Sequence, residues 1–170
     1  MFELPEEHRM LQDLVAKFID RDVMPLEKST LEREMSGGKS SLPPEDEEKL
    51  LAKCKELGLW GLDVPEAYGG ANLPYTALMG VYEEQGRTPV PFTFPPDSPN
   101  LHMLIAVAND EQKRKYLDPY ARGEAHSAIA ISEPGAGGDP AGMTTRAVKD
   151  GGDWVINGRK IWVSRVPQSD

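Results

Sequence analysis

The chain has 170 residues, 39% hydrophobic and 28% charged, the balance of a folded globular protein rather than a disordered tail. A formal net charge of −9 argues against a nucleic-acid binder, which would carry a basic stripe. Cys54 is the single cysteine, which excludes an internal disulfide and a cysteine-based zinc site, and no apolar run approaches the length of a membrane span.

The start, Met1-Phe2-Glu3-Leu4-Pro5, is acidic and broken by proline, unlike a secretory signal, so a soluble cytoplasmic protein is expected. Residues 5–23 predict a helix. Pro5 suits a first turn, Glu6 and Glu7 favour the helix dipole, and Met10, Leu11, Leu14, Val15, Phe18 and Ile19 recur at helical spacing up to Val23, before Pro25. Residues 31–44 are polar, with Gly37, Gly38, Ser36, Ser40 and Ser41, and predict a loop. A second helix starts at Pro43 or Pro44, with Ser41 or a neighbour as cap. It carries Leu50, Leu51, Cys54 and Leu57 on one face and ends at Gly58. Among those leucines Cys54 reads as a buried thiol rather than a nucleophile.

Residues 59–70 form a turn-rich connector whose large apolar side chains suggest packing onto the body. A helix over 74–85 follows, with Leu78, Met79, Val81 and Tyr82 as its apolar set. Four prolines between Pro89 and Pro96 forbid regular structure. Asp97 or Ser98 can cap a helix through Leu101, Met103, Leu104 and Val107, and Asn109 or Asp110 a short one through Lys113 and Tyr116.

After Gly123 the pattern changes to strand candidates at 127–131, 144–148, 154–156 and 160–164. Asp150-Gly151-Gly152 and Asn157-Gly158 lie between them, the second being the stronger hairpin signal. The expected fold is mainly α with a partial antiparallel β segment, divided near 123–125. Such a meander has open edges and only part of a face to bury.

Two segments carry the candidate chemistry. Ser132-Glu133-Pro134-Gly135-Ala136-Gly137-Gly138 reads first as a strand-exit turn, in which three glycines permit positive φ and close backbone approach. Alternatively, its N–H groups and the Ser132 hydroxyl face a planar polar ligand. No helix follows the glycines, so it is not a dinucleotide fingerprint. In Lys160-Ile161-Trp162-Val163-Ser164, alternation places Trp162 and Ser164 on one face, either as core or as an aromatic surface beside a hydroxyl. Glu133 is assigned a structural role, Glu45-Asp46-Glu47-Glu48 is a helix first turn, and His8, His102 and His126 lack metal-ligand spacing.

These two segments resemble the flavin-binding part of acyl-CoA dehydrogenases. The connector Gly58–Gly70, the first helix from Phe2 to Pro25, Glu111-Gln112-Lys113-Arg114-Lys115-Tyr116-Leu117 with Gly123, and the 157–164 hairpin also match that family in order. The resemblance implies an N-terminal helical domain over 1–124 and, over 125–170, the incomplete start of a β-barrel-like middle domain. It implies FAD as cofactor, with Ile129, Ile131, Ser132, Gly137, Gly138, Trp162, Val163 and Ser164 along it and Ser164 near flavin N5. It further implies α,β-dehydrogenation of an acyl-CoA, a flavoprotein electron acceptor, and a homo- or hetero-oligomer. Gly138 stands where the family has Ser, which removes one expected contact. The family's catalytic Glu lies in a C-terminal bundle with no counterpart in these residues, so no catalytic residue is assigned. The chain alone is expected to bind flavin weakly or not at all and to show no turnover. The alternative is a non-catalytic subunit or truncated paralogue that pairs with a chain supplying the bundle.

Overall fold

The computed structural model describes residues 4–39, 41–96, 98–164, 166 and 169–170, with the side chains of Ser98 and Pro99 outside the description. The chain divides into two compact units, 1–124 and 125–170.

The first unit is helical. Helix α1 (Glu6–Phe18) continues through a π turn at Ile19–Val23 and a 3-10 turn at Met24–Leu26 into α2 (Glu27–Met35). The helical path therefore runs past Pro25, which occupies the first turn of a new segment where its missing N–H costs nothing. Here the sequence reading needs correction. Residues 31–35 are helix, because Leu31, Glu32, Arg33, Glu34 and Met35 are good helix formers and Lys28 reaches Glu32 at 3.8 Å along one face. Their polarity, running on into Gly37, Gly38 and the serines, is what reads as loop.

Helix α3 (Pro44–Leu57) has Pro43 as N-cap with no side-chain cap bond, so Ser41 does not cap it, and Gly58 closes it at φ 71°. Helix α4 (Tyr75–Gln85) lies against α1. It buries Ala77, Leu78, Gly80 and Val81, whereas Met79 and Tyr82 of its expected apolar set are exposed. The inner face is the one whose small residues allow close helix approach, with Gly80 beside the Gln12 side chain. The proline-rich segment then folds Phe92 and Phe94 back onto Phe18, with ring centroids 5.3–5.8 Å apart in tilted or edge-on geometry. With Val15, Ile19, Val23, Leu50, Cys54 and Leu59 these rings form the larger core, in which burial pushes the Cys54 thiol up to about 12. Met10, expected on the core stripe of α1, is exposed.

Helix α5 (Ser98–Val107) and the helical run of α6 (Asp110–Gln112), a π turn (Lys113–Leu117) and α7 (Asp118–Ala121) enclose a second core of Val64, Leu101, Leu117, Tyr120 and Ala121. Met103 and Val107 of α5 face outward. Its capping assignment to Asp97 or Ser98 lies outside the described residues. Asn109 caps α6 in a reciprocal capping box with Gln112, at 2.9 and 3.0 Å. Trp60 joins the connector to α7, its Nε1–H donating to the Ala121 carbonyl at 3.1 Å, with Lys55 over its ring at 4.3 Å. Gly123 (φ +71°) sits directly against the indole, where any Cβ would overlap it.

Among its described residues the second unit contains one antiparallel hairpin, β1 (Arg146–Asp150) and β2 (Asp153–Asn157), paired Asp150↔Asp153 through Arg146↔Asn157. Its turn is Gly151-Gly152, where the sequence places one, whereas Asn157-Gly158 ends β2 and does not lead into a further strand at 160–164. Gly158 instead packs against the Thr145 side chain so closely that a Cβ there would overlap it. Residues 127–131 and 160–164 are not strands. Trp162 has φ +58°, a left-handed conformation that ends the period-2 alternation on which the shared Trp162–Ser164 face depended.

Candidate functional site

The 132–138 turn is closed on itself. The Glu133 N–H donates to the Ala136 carbonyl at 3.0 Å, and the Ala136 N–H returns to the Glu133 carbonyl at 3.1 Å. Behind it, the Glu133 carboxylate is almost completely buried and collects four donors. Oε2 accepts from the Thr144 N–H at 2.6 Å and the Thr144 hydroxyl at 2.9 Å, while Oε1 accepts from the Thr145 N–H at 3.0 Å and Lys160 Nζ at 2.9 Å. Donors from Thr145 and Thr144, and then the Lys160 ammonium, hold this carboxyl far below the usual carboxylate range. It is ionised at neutral pH with its lone pairs occupied, so it is not a proton acceptor.

The front of the turn is different. None of Gly135, Gly137 and Gly138 has positive φ, and a Cβ at any of them would meet nothing within 4 Å. The expectation that these glycines serve a left-handed turn or close packing inside the chain is therefore corrected. Their N–H groups have no acceptor among the described residues. What glycine provides here is an exposed strip of backbone with no side chains over it.

The second segment lies alongside. Ile161 N–H donates to the Ser132 carbonyl at 2.9 Å, and Lys160 Nζ reaches the Ile131 carbonyl at 2.9 Å and Met143 Sδ at 3.4 Å. Trp162 follows directly and is 88% exposed. Ser132 and Val163 are half-buried, and Ile129, Ile131, Gly137, Gly138 and Ser164 are exposed. The structure thus brings the Ser132 turn and the Trp162 segment side by side through their backbones. Thr144, Thr145 and Lys160 were not singled out from the sequence. Their only signal was a Glu beside a proline-fixed turn, with its donors far along the chain.

Among the described residues no cluster of three or more His, Cys, Asp or Glu could hold a metal, and no helix is long and apolar enough to cross a membrane.

Two family models match, the acyl-CoA dehydrogenase N-terminal domain over residues 5–124 and the acyl-CoA dehydrogenase middle domain over residues 128–170. The chain belongs to the acyl-CoA dehydrogenase family. One relative, (R)-benzylsuccinyl-CoA dehydrogenase of Thauera aromatica, is 41% identical across 99% of this chain and 44% of its own length. Among solved structures, glutaryl-CoA dehydrogenase from Mycobacterium smegmatis superposes with a TM-score of 0.79 at 29% identity, over 98% of this chain and 41% of that one. A glutaryl-CoA dehydrogenase structure from the same organism, in complex with FADH2, gives 0.74 at 26% identity, over 98% and 41%. The chain spans less than half the length of these relatives.

Proposed function

We propose that this chain supplies one side of the flavin site of an FAD-dependent acyl-CoA dehydrogenase, with residues 1–124 as the helical N-terminal domain and 125–170 as the opening of the middle β domain. The observation that carries the reading is a turn with exposed Gly135, Gly137 and Gly138, whose N–H groups have no acceptor among the described residues, tied by the Ile161–Ser132 hydrogen bond to the segment that carries the exposed Trp162. A planar ligand with polar edges needs this combination of fixed donors along one edge and a flat apolar face. The residues present fit a flavin. Ile129, Ile131, Ser132, Gly137 and Gly138 would line its polar edge, and Trp162, Val163 and Ser164 its ring face and N5.

A bound flavin supplies the electron sink for removing two hydrogens from adjacent carbons of an acyl thioester. The chain's own contribution is orientation. The turn presents donors at low entropic cost because it is closed by its own backbone bonds, and Trp162 shields one face from water. Glu133 takes no part as a base, since its oxygens are occupied. The same reading takes an acyl-CoA as substrate, a flavoprotein as electron acceptor, and an oligomer as the working state.

The test is equilibrium dialysis of FAD against the 170-residue chain. One side of a site is expected to bind in the millimolar range. Trp162→Ala should weaken binding by roughly tenfold through lost stacking, and Ser132→Ala by about threefold through one lost hydrogen bond. Undiminished binding in both variants would contradict the reading.

A further inference from the structure

The Glu133–Lys160 pair does more than satisfy a buried charge. Lys160 immediately precedes Ile161, whose N–H meets Ser132, and Glu133 immediately follows Ser132. The pair therefore spans the joint between the two ligand-facing segments, 27 residues apart in sequence. Its ammonium also takes the Ile131 carbonyl, so the residues on both sides of Ser132 are drawn to the same cation. From the other side Thr144 and Thr145, which lead directly into β1, donate to both carboxylate oxygens. A single buried anion thus fixes three strands of chain that share almost no apolar core. Among the described residues of this region Ala136 is the buried apolar one.

We propose that Glu133 and Lys160 are positioning residues, a charged clasp that sets the turn at Ser132 against the Trp162 segment and thereby shapes the surface that receives the flavin. The clasp's purpose rests on the flavin reading, but its existence does not. Loss of Lys160 leaves the buried Glu133 carboxylate without its cation, whereas Lys160, 24% exposed, can turn to water when Glu133 is lost. Arginine at 160 keeps the cation and its donors.

The experiment uses hydrogen exchange and the Trp162 indole signal by NMR on the 170-residue chain. Without ligand, Glu133→Gln and Lys160→Met should each speed exchange at the Ile161 amide by about tenfold or more, while amides of β1 and β2 keep their rates. Lys160→Arg should remain close to the parent chain. With millimolar FAD added, the indole shift of Trp162 should shrink in Glu133→Gln and Lys160→Met and persist in Lys160→Arg. If Glu133→Gln does not fold, the two Lys160 variants decide the matter, since Glu133 keeps its three threonine donors in both. Unchanged Ile161 exchange in Lys160→Met overturns the clasp, as does a uniform rise across the hairpin. No indole shift in the parent chain would overturn the flavin reading and with it the purpose given to the clasp, while leaving the exchange result to stand alone.

Discussion

The two units are ordered by opposite means. Residues 1–124 bury Phe18, Ile19, Leu59, Leu101 and Leu117 at 1% exposure or less, within two apolar cores. Residues 125–170 bury, among those described, only Ala136 and the Glu133 carboxylate, and every residue of the hairpin is exposed. The first unit follows from apolar area removed from water. The second is organised by charge-assisted hydrogen bonds around one anion. Its Ile131, Trp154, Ile156 and Trp162 are each exposed and have apolar area to gain from a ligand or further protein.

That contrast can be broken most forcefully in the first unit. Phe18→Ala removes the ring that both Phe92 and Phe94 contact, and should cost about 3–5 kcal/mol in denaturant unfolding. A cost below roughly 1 kcal/mol would mean the triad is not the centre of that core. Gly123→Ala places a methyl into the Trp60 ring at φ +71°, with an expected loss of about 1–3 kcal/mol. The same assay reads it, and an unchanged midpoint would contradict the packing.

Acid should separate the units. The folded pKa of Glu133 lies below its ordinary value of 4.5, so the native form binds fewer protons than the unfolded chain. The contribution is complete above that value and is lost progressively as pH falls below it toward the folded pKa. NMR signals of Thr144, Thr145 and Ile161 should therefore move on acidification while those of α1 hold. Simultaneous loss of both sets would deny that the second unit depends on its own anion. At the small end, Val148→Ala in β1 should change stability by less than about 0.5 kcal/mol, because Val148 is exposed and touches no core. In the first unit, Cys54 should resist a thiol reagent in the native state and react once unfolded, since burial and then Asp22 keep it protonated.

The helices were legible because 3.6-residue periodicity survives without tertiary information. Val15, Phe18 and Ile19 are buried where the spacing puts them, and Gly58 and Asn109 end and start helices as their chemistry requires. The errors came where local chemistry is ambiguous. The charged residues 31–35 suit helix as well as loop, and Met79 and Tyr82 are apolar but outward. In the second unit, β1 and β2 were readable, but 127–131 and 160–164 have strand composition without a strand ladder. The candidate site was partly visible. Its turn and its tryptophan stand out in the sequence, whereas the clasp does not, because the donors to Glu133 lie 11, 12 and 27 residues away. Only the fold brings a Thr-Thr pair and a lysine to one carboxylate.

If the Ser132 turn and Trp162 together form a flavin-receiving face, an NMR titration of the 170-residue chain with FAD will register it. Trp154 on β2 is also exposed, so its indole serves as an internal control for unspecific stacking. The account predicts saturable shifts at the Trp162 indole and at the Gly137 and Gly138 amides, with Trp154 unmoved. Equal movement of both indoles, or shifts confined to the hairpin, would contradict it.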